Sequence, residues 1–239
     1  MCTVTWMRER DGYSLFCNRD ERLTRKPALG PQPGELRGVK YIAPVDGDHG
    51  GSWIAVNQFG LTLCLLNRYG EIQPDETRAY ISRGLLLIGL VDSRDTQQVT
   101  TRINDYDLTR FLPFSLLTMS RNDEPVLLEW TGSIYRMNED AKGLLPLTST
   151  SLTEPSIAIE RATQFRSLTA AGTSRSLLDH FHRSHIPARG PMSVCMHREG
   201  AKTMSLSKVL VAKGEAVFEY EAGSPCQSET PKVAGMKLS

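Results

Sequence analysis

Cys2 directly follows the initiator methionine, and a short polar run, Asn18-Arg19-Asp20-Glu21, lies a hairpin's length further on. Removal of Met1, which a small second residue permits, leaves Cys2 carrying both a thiol and a free α-amine. That is a nucleophile and a base on one residue. Their ordinary pKa values, about 8.5 and about 7.7 to 8.0, allow proton exchange at neutral pH. Such a residue attacks an acyl carbon without help from a distant histidine. Asp20 and Glu21 are the carboxylates available to orient its amine, although the same cluster also reads as a solvated ion-pair group at a strand end.

The elements that must place these groups follow from pattern. Thr3 to Arg8 and Tyr13 to Asn18 are strand-like, with Asp11-Gly12 as a two-residue turn signal between them. A regular loop there sets Cys2 opposite Glu21 and Thr3 opposite Asp20. A one-residue bulge exchanges the faces, so either carboxylate is a candidate for the amine. Residues 23–48 contain Pro27, Pro31, Pro33 and Pro44 and read as a long surface loop bordering the site. Ser52 to Val56 and Leu61 to Asn67 form strands joined by the turn Asn57-Gln58-Phe59-Gly60. Ser82 to Val91, capped by Ser82, and Thr96 to Asp105 read as helices.

A meander follows at Phe114 to Met119, Pro125 to Trp130 and Ser133 to Met137. Ser156 to Ala170 and Arg175 to His185 are helical in pattern. Ser193 to His197, Thr203 to Val211 and Ala216 to Tyr220 are strand-like. From Gly223 the composition turns to Ser, Pro, Gly, Lys and Thr, the mark of a frayed tail. The expectation is therefore an α+β chain with mainly antiparallel sheets, one domain over residues 1–222 and a flexible tail over residues 223–239.

The 239 residues, 40% of them apolar, suffice for a substantial core. Lys+Arg of 28 against Asp+Glu of 27 leaves +1, which provides no field for nucleic acid or anionic lipid. Five irregularly spaced cysteines suggest neither a disulfide framework nor a paired zinc motif, and point to a reducing, cytoplasmic setting. Leu85 to Val91, the most apolar stretch, is far short of the roughly 20 residues a membrane-spanning helix needs. No cofactor is expected, and no metal. A helix presents only His182 and His185 of the group His180, His182 and His185 together, and the strand pair Cys195 and His197 supplies two ligands where zinc takes four. Oligomeric state is not set by any pattern in the chain.

Met1-Cys2, Asn18-Arg19-Asp20-Glu21, Gly50-Gly51-Ser52-Trp53, Asn57 with Gly60, Leu66-Asn67-Arg68 and Ser82-Arg83-Gly84 occur in order within the first third of the chain. Together they resemble the NRDE family. The resemblance implies an N-terminal nucleophile hydrolase-like fold, a four-layer αββα sandwich, and a likeness to cysteine enzymes that cleave non-peptide amide bonds. It implies Cys2 as nucleophile, Asp20 or Glu21 at its amine, and Asn67 as oxyanion donor. It also implies a substrate-binding rim of Asn18, Arg19, Trp53, Arg68, and Ser149 as a second polar group, although Trp53 by itself reads as a core or rim aromatic before a substrate platform. The ligand is then a small amide, an acyl compound or, in the rival reading, a hydrophobic cargo such as haem or acyl-CoA held without catalysis.

Overall fold

The computed structural model describes residues 2–69, 72–149, 155–227 and 230–239. Strands β1 (Cys2–Glu9) and β2 (Gly12–Arg22) form the opening hairpin. The turn is Arg10-Asp11, one step earlier than the Asp11-Gly12 signal suggests, because Gly12 already pairs with Glu9. Gly12 is a glycine for a different reason: a Cβ there would lie 1.8 Å from the Val211 carbonyl oxygen. The shift changes the register. Cys2 faces Arg19 and Thr3 faces Asn18, which corrects the expected pairings with Glu21 and Asp20.

The stretch expected to be a surface loop is instead a second hairpin, β3 (Leu29–Leu36) and β4 (Val39–Val45). Its turn residues Arg37 and Gly38 have φ of 49° and 81°, the left-handed pair of a type I′ turn. The prolines mislead because β3 is an edge strand, where a missing N–H costs nothing on the outer side, and Pro44 lies beyond the residues of β4 that pair with the next strand. β5 (Ile54–Asn57) and β6 (Thr62–Asn67) continue the sheet. Helices α1 (Arg83–Leu90) and α2 (Thr96–Arg102) precede the meander β7 (Phe114–Met119), β8 (Val126–Trp130) and β9 (Tyr135–Asn138). β10 (Leu147–Thr148) leads to α3 (Pro155–Thr169) and α4 (Arg175–Arg183). The chain then adds β11 (His197–Arg198), β12 (Ala201–Ala212), β13 (Glu215–Ala222) and β14 (Lys232–Lys237). Of the expected strand at Ser193 to His197 only the last residue is paired. The segment expected to fray supplies β14, hydrogen-bonded along β13.

Among the described residues these strands make two antiparallel sheets of seven, one ordered β10-β1-β2-β12-β13-β14 with β11 on β12, the other β3 through β9 in sequence. Strand alternation sorts the side chains into layers. Val4, Trp6, Tyr13, Leu15 and Cys17 from the first sheet meet Ile54, Val56, Cys64, Leu66 and Leu117 from the second. The outer face of the second sheet packs Leu63, Leu65 and Leu116 on Leu86, Leu87 and Val99 of α1 and α2. The outer face of the first packs Phe16 and Leu206 on Phe165, Leu178 and Phe181 of α3 and α4. The result is the expected αββα sandwich.

His182, at the end of α4, is fully buried between Phe16 and Phe181, and its Nε2 lies 2.8 Å from Thr5 Oγ1. Burial pushes its pKa from 6.5 down to about 3. Above 6.5 the ring is neutral whether the chain is folded or not, so the full stability is present. As pH falls from 6.5 towards 3 the unfolded chain takes up a proton that the folded chain refuses, and stability is lost at about 1.4 kcal/mol per pH unit. Urea midpoints of wild type and His182→Leu measured from pH 7 to pH 4 should show the variant weaker at neutral pH but shallower in its acid slope. Equal slopes would remove His182 as the cause.

Candidate active site

β2 divides the polar run between two faces. Asn18 and Asp20 point outward toward α3 and α4, whereas Arg19 and Glu21 point inward to the gap between the sheets. Asn18 Nδ2 donates to the carbonyls of His182 (2.9 Å) and Val194 (3.0 Å), so it ties the sheet to the helical layer. Asn18 therefore does not border a substrate site, which corrects its expected place on the rim. The Asp20 carboxylate accepts from Thr203 Oγ1 at 2.7 Å and faces Arg161 Nη1 at 3.6 Å, both side chains being fully buried. Arg161 also donates to Thr3 Oγ1 (2.6 Å) and to the Ser193 carbonyl (2.6 Å). Burial pushes the Asp20 carboxyl above its usual range, and the Arg161 guanidinium opposes that rise.

On the inner face, the Arg19 guanidinium lies 4.5 Å over the Trp53 ring and its Nη2 is 2.7 Å from Asp46 Oδ2 and 3.4 Å from Glu21 Oε2. Arg25 holds the other side of Asp46 and reaches Asp48 at 2.6 Å. The charge of Arg19 is therefore already answered by two carboxylates and an aromatic face.

Cys2 sits where the strand pair opens on the gap. Its sulfur is densely surrounded although the residue keeps some exposure, and burial pushes the thiol up to about 12. The Cys17 sulfur and the Asp20 carboxylate add to that rise, while the positive charge of the chain terminus and, less, the Asp20 backbone work against it. Cys2, Asp20, Glu21 and Asn67, the four residues expected to do chemistry, all line one cleft of about 260 Å³, with Arg19 and Trp53. Asn67 ends β6 and donates one amide hydrogen to the Tyr69 hydroxyl at 3.0 Å; the second has no partner among the described residues.

Ser149 clamps this corner without lining it. Its N–H donates to the Cys2 carbonyl at 2.9 Å and its hydroxyl to the Asn67 carbonyl, so it joins the first strand of one sheet to the middle of the other. It acts on position and does not face the cleft, a second correction. Arg68 is turned to Glu129 and Ser115 on neighbouring strands and likewise does not line the cleft.

Two of the sequence motifs turn out to be one contact. The Ser52 N–H donates to the Gly84 carbonyl at 3.2 Å, and a Cβ on Gly51 would lie 2.5 Å from the Gly84 backbone. Only glycines let these segments approach so closely. Their junction brings both Trp53 and Arg83 to the lining of the cleft. Arg83 Nη1 donates to the Pro113 carbonyl at 2.8 Å, and Arg83 makes no ion pair with any described residue. Arg83, Tyr69, Tyr80, Asp46 and His49 line the cleft and were not singled out as site residues. Arg83, inside the motif Ser82-Arg83-Gly84, and Tyr69, next to Leu66-Asn67-Arg68, carry a signal in the sequence, whereas Asp46, His49 and Tyr80 carry none.

A family model for Transport and Golgi organisation 2 matches residues 1–182. The chain belongs to that family. Membership agrees with the resemblance read from its motifs, and the fold is that of N-terminal nucleophile acylases. Penicillin V acylase from Agrobacterium tumefaciens superposes with a TM-score of 0.55 at 10% identity, over 100% of this chain and 86% of that one. A mutant conjugated bile acid hydrolase from Clostridium perfringens gives 0.57 at 11%, over 100% and 92%. The Caenorhabditis elegans ortholog of N-acylethanolamine-hydrolyzing acid amidase gives 0.58 at 10%, over 87% and 92%. No curated protein sequence matches significantly. No helix among the described residues of this Transport and Golgi organisation 2 family member is long and apolar enough to cross a membrane.

The buried pair behind Cys2 gives a stability prediction. Arg161→Met removes the cation facing Asp20 and should cost about 3–5 kcal/mol at neutral pH by urea denaturation, with part of the loss recovered on adding Asp20→Asn. A single variant as stable as wild type would contradict the pair.

Proposed function

We propose that the cleft is the active site of an N-terminal cysteine hydrolase acting on a small non-peptide amide or related acyl compound. The observation that carries this reading is the convergence of Cys2 and Asn67 on one cleft between the sheets, with the buried Asp20 carboxylate on the helix side of β2 behind Cys2. The likeness in fold to acylases and amidases supports it. With Met1 removed, the thiol proton passes to the Cys2 α-amine and the sulfur forms a bond to the substrate carbonyl carbon. The oxygen becomes an oxyanion that accepts from the second Asn67 amide hydrogen. The α-ammonium returns its proton to the leaving nitrogen as the C–N bond breaks. Water, deprotonated by the same amine, then cleaves the thioester and restores the thiol.

Asp20 suits the amine better than Glu21. Its buried carboxylate lies close enough to Cys2 to raise the thiol, whereas the Glu21 carboxylate is paired with Arg19. A thiol held up to about 12 by burial is a poor nucleophile by itself, so the mechanism needs the free amine to take its proton. Arg83 favours a substrate bearing a carboxylate or another anion. The lining mixes arginines, acids and tyrosines with Trp53, Leu65, Ile81 and Leu112, which suits an acyl compound with a polar and an apolar part better than a wholly apolar cargo.

Activity on a panel of N-acyl compounds with and without a carboxylate tests this. Cys2→Ala should lose at least about a thousandfold in kcat/KM and Asn67→Ala about 10²- to 10³-fold. Arg83→Ala should raise KM for the carboxylate-bearing members by about tenfold with kcat nearly kept. Intact mass should show Met1 absent from active protein. Undiminished turnover by Cys2→Ala, or by chains retaining Met1, would overturn the mechanism.

A further inference from the structure

On the far side of the first sheet, past the end of α4, two histidines and two cysteines converge. Their ligating atoms, from His185, Cys195, His197 and Cys226, all lie within 4.8 Å of one another. His197 Nε2 is 3.3 Å from His185 Nε2, 3.6 Å from Cys195 Sγ and 3.5 Å from Cys226 Sγ. A tetrahedral ion bonded at about 2.0–2.1 Å to nitrogen and about 2.3 Å to sulfur holds its ligand atoms about 3.3 to 3.8 Å apart. Hydrogen bonding does not account for this geometry. An imidazole nitrogen has a single in-plane lone pair or N–H, yet three groups crowd this one. Both cysteines are free thiols.

We propose that His185, Cys195, His197 and Cys226 bind one zinc ion in a closed, four-ligand structural site. The soft sulfur and imidazole donors select zinc over magnesium or calcium, and two thiolates neutralise its charge, which suits the fully buried Cys195. Arg189 Nη2 stands 3.4 Å from His197 Nδ1 and must turn aside when that nitrogen carries the proton.

The sequence pairs Cys195 with His197 on a strand and His182 with His185 on a helix, neither enough for zinc, and so predicts no metal. The fold adds His185 from the end of α4 and Cys226 from the short helical turn Pro225–Gln227. All four lie beyond the residues matched by the family model. The ion would staple the irregular segment from Ser184 to Met196, which is otherwise tied by few backbone bonds such as Cys195 N–H to the Ser184 carbonyl at 3.0 Å. Met196, between two of the ligands, donates its N–H to Thr203 Oγ1 at 2.8 Å, and that hydroxyl donates to Asp20. A metal here would steady the backing of Asp20 without touching substrate, and its presence stands apart from whether Cys2 is catalytic.

The test uses the untagged full chain, purified with reductant and added zinc, desalted and measured by elemental mass spectrometry. About one zinc per chain is expected, falling at least about tenfold in Cys226→Ser and in Cys195→Ser. Replacement by cobalt(II) should give the visible absorption of a tetrahedral ion together with a near-ultraviolet thiolate band. This reading on the unmutated chain decides the matter if the variants fail to fold. The proposal is overturned if the reduced chain retains no zinc, or if the cysteine variants retain as much as wild type. A six-coordinate cobalt spectrum without thiolate absorption would also overturn it, as would a Cys195–Cys226 disulfide whose reduction gives no metal uptake.

Discussion

The register between β1 and β2 is the constraint on which the site depends. Once Cys2 faces Arg19, the two-residue period of the strand fixes every other polar side chain of the run. Arg19 and Glu21 must face the gap between the sheets, and Asn18 and Asp20 must face the helices. A slip of one residue would bury Arg19 against α3 and place Asp20 against Trp53, leaving each charge without its present partner. The register is held at the far end by Gly12, where Val211 leaves no room for a Cβ, and along its length by eleven paired residues of β12.

Each half of the alternation has its own electrostatic solution. Outward, a buried carboxylate meets a buried guanidinium and a hydroxyl. Inward, a guanidinium is held between an aromatic ring and two acids at the mouth of a cleft. Burying an ion pair is costly unless its remaining hydrogen-bonding groups are met, and Arg161 meets this condition through Thr3, Met192 and Ser193. The segment carrying Met192 and Ser193 runs on to Cys195 and His197. The backing of the site therefore ends in the cluster proposed to hold zinc.

Much of this was legible in the chain because local pattern and tertiary structure agree. The hairpin, the turn at Asn57 to Gly60, the helices and the meander follow from alternation and turn chemistry, and Cys2, Asp20, Glu21 and Asn67 share a cleft as their motif suggests. The misreadings have physical causes. Prolines in residues 23–48 signal a loop, yet an edge strand tolerates them. A polar, glycine-containing end signals fraying, yet Lys232–Lys237 needs only the free edge of β13 to pair. Asn18 and Ser149 carry chemistry suited to a substrate but serve as clamps, which depends on face and not on residue type. The four soft ligands come from three separate segments, so no spacing along the chain announces them.

The most direct test of the Cys2 account is to quench the processed chain in acid during turnover of an activated acyl ester and map the acyl group by peptide mass spectrometry. Acid keeps a thioester from migrating to the neighbouring amine. The account predicts the added mass on Cys2, with Cys17 and Cys64, both buried between the sheets, unmodified. Turnover with the acyl group on any other residue, or with none on Cys2, would contradict it.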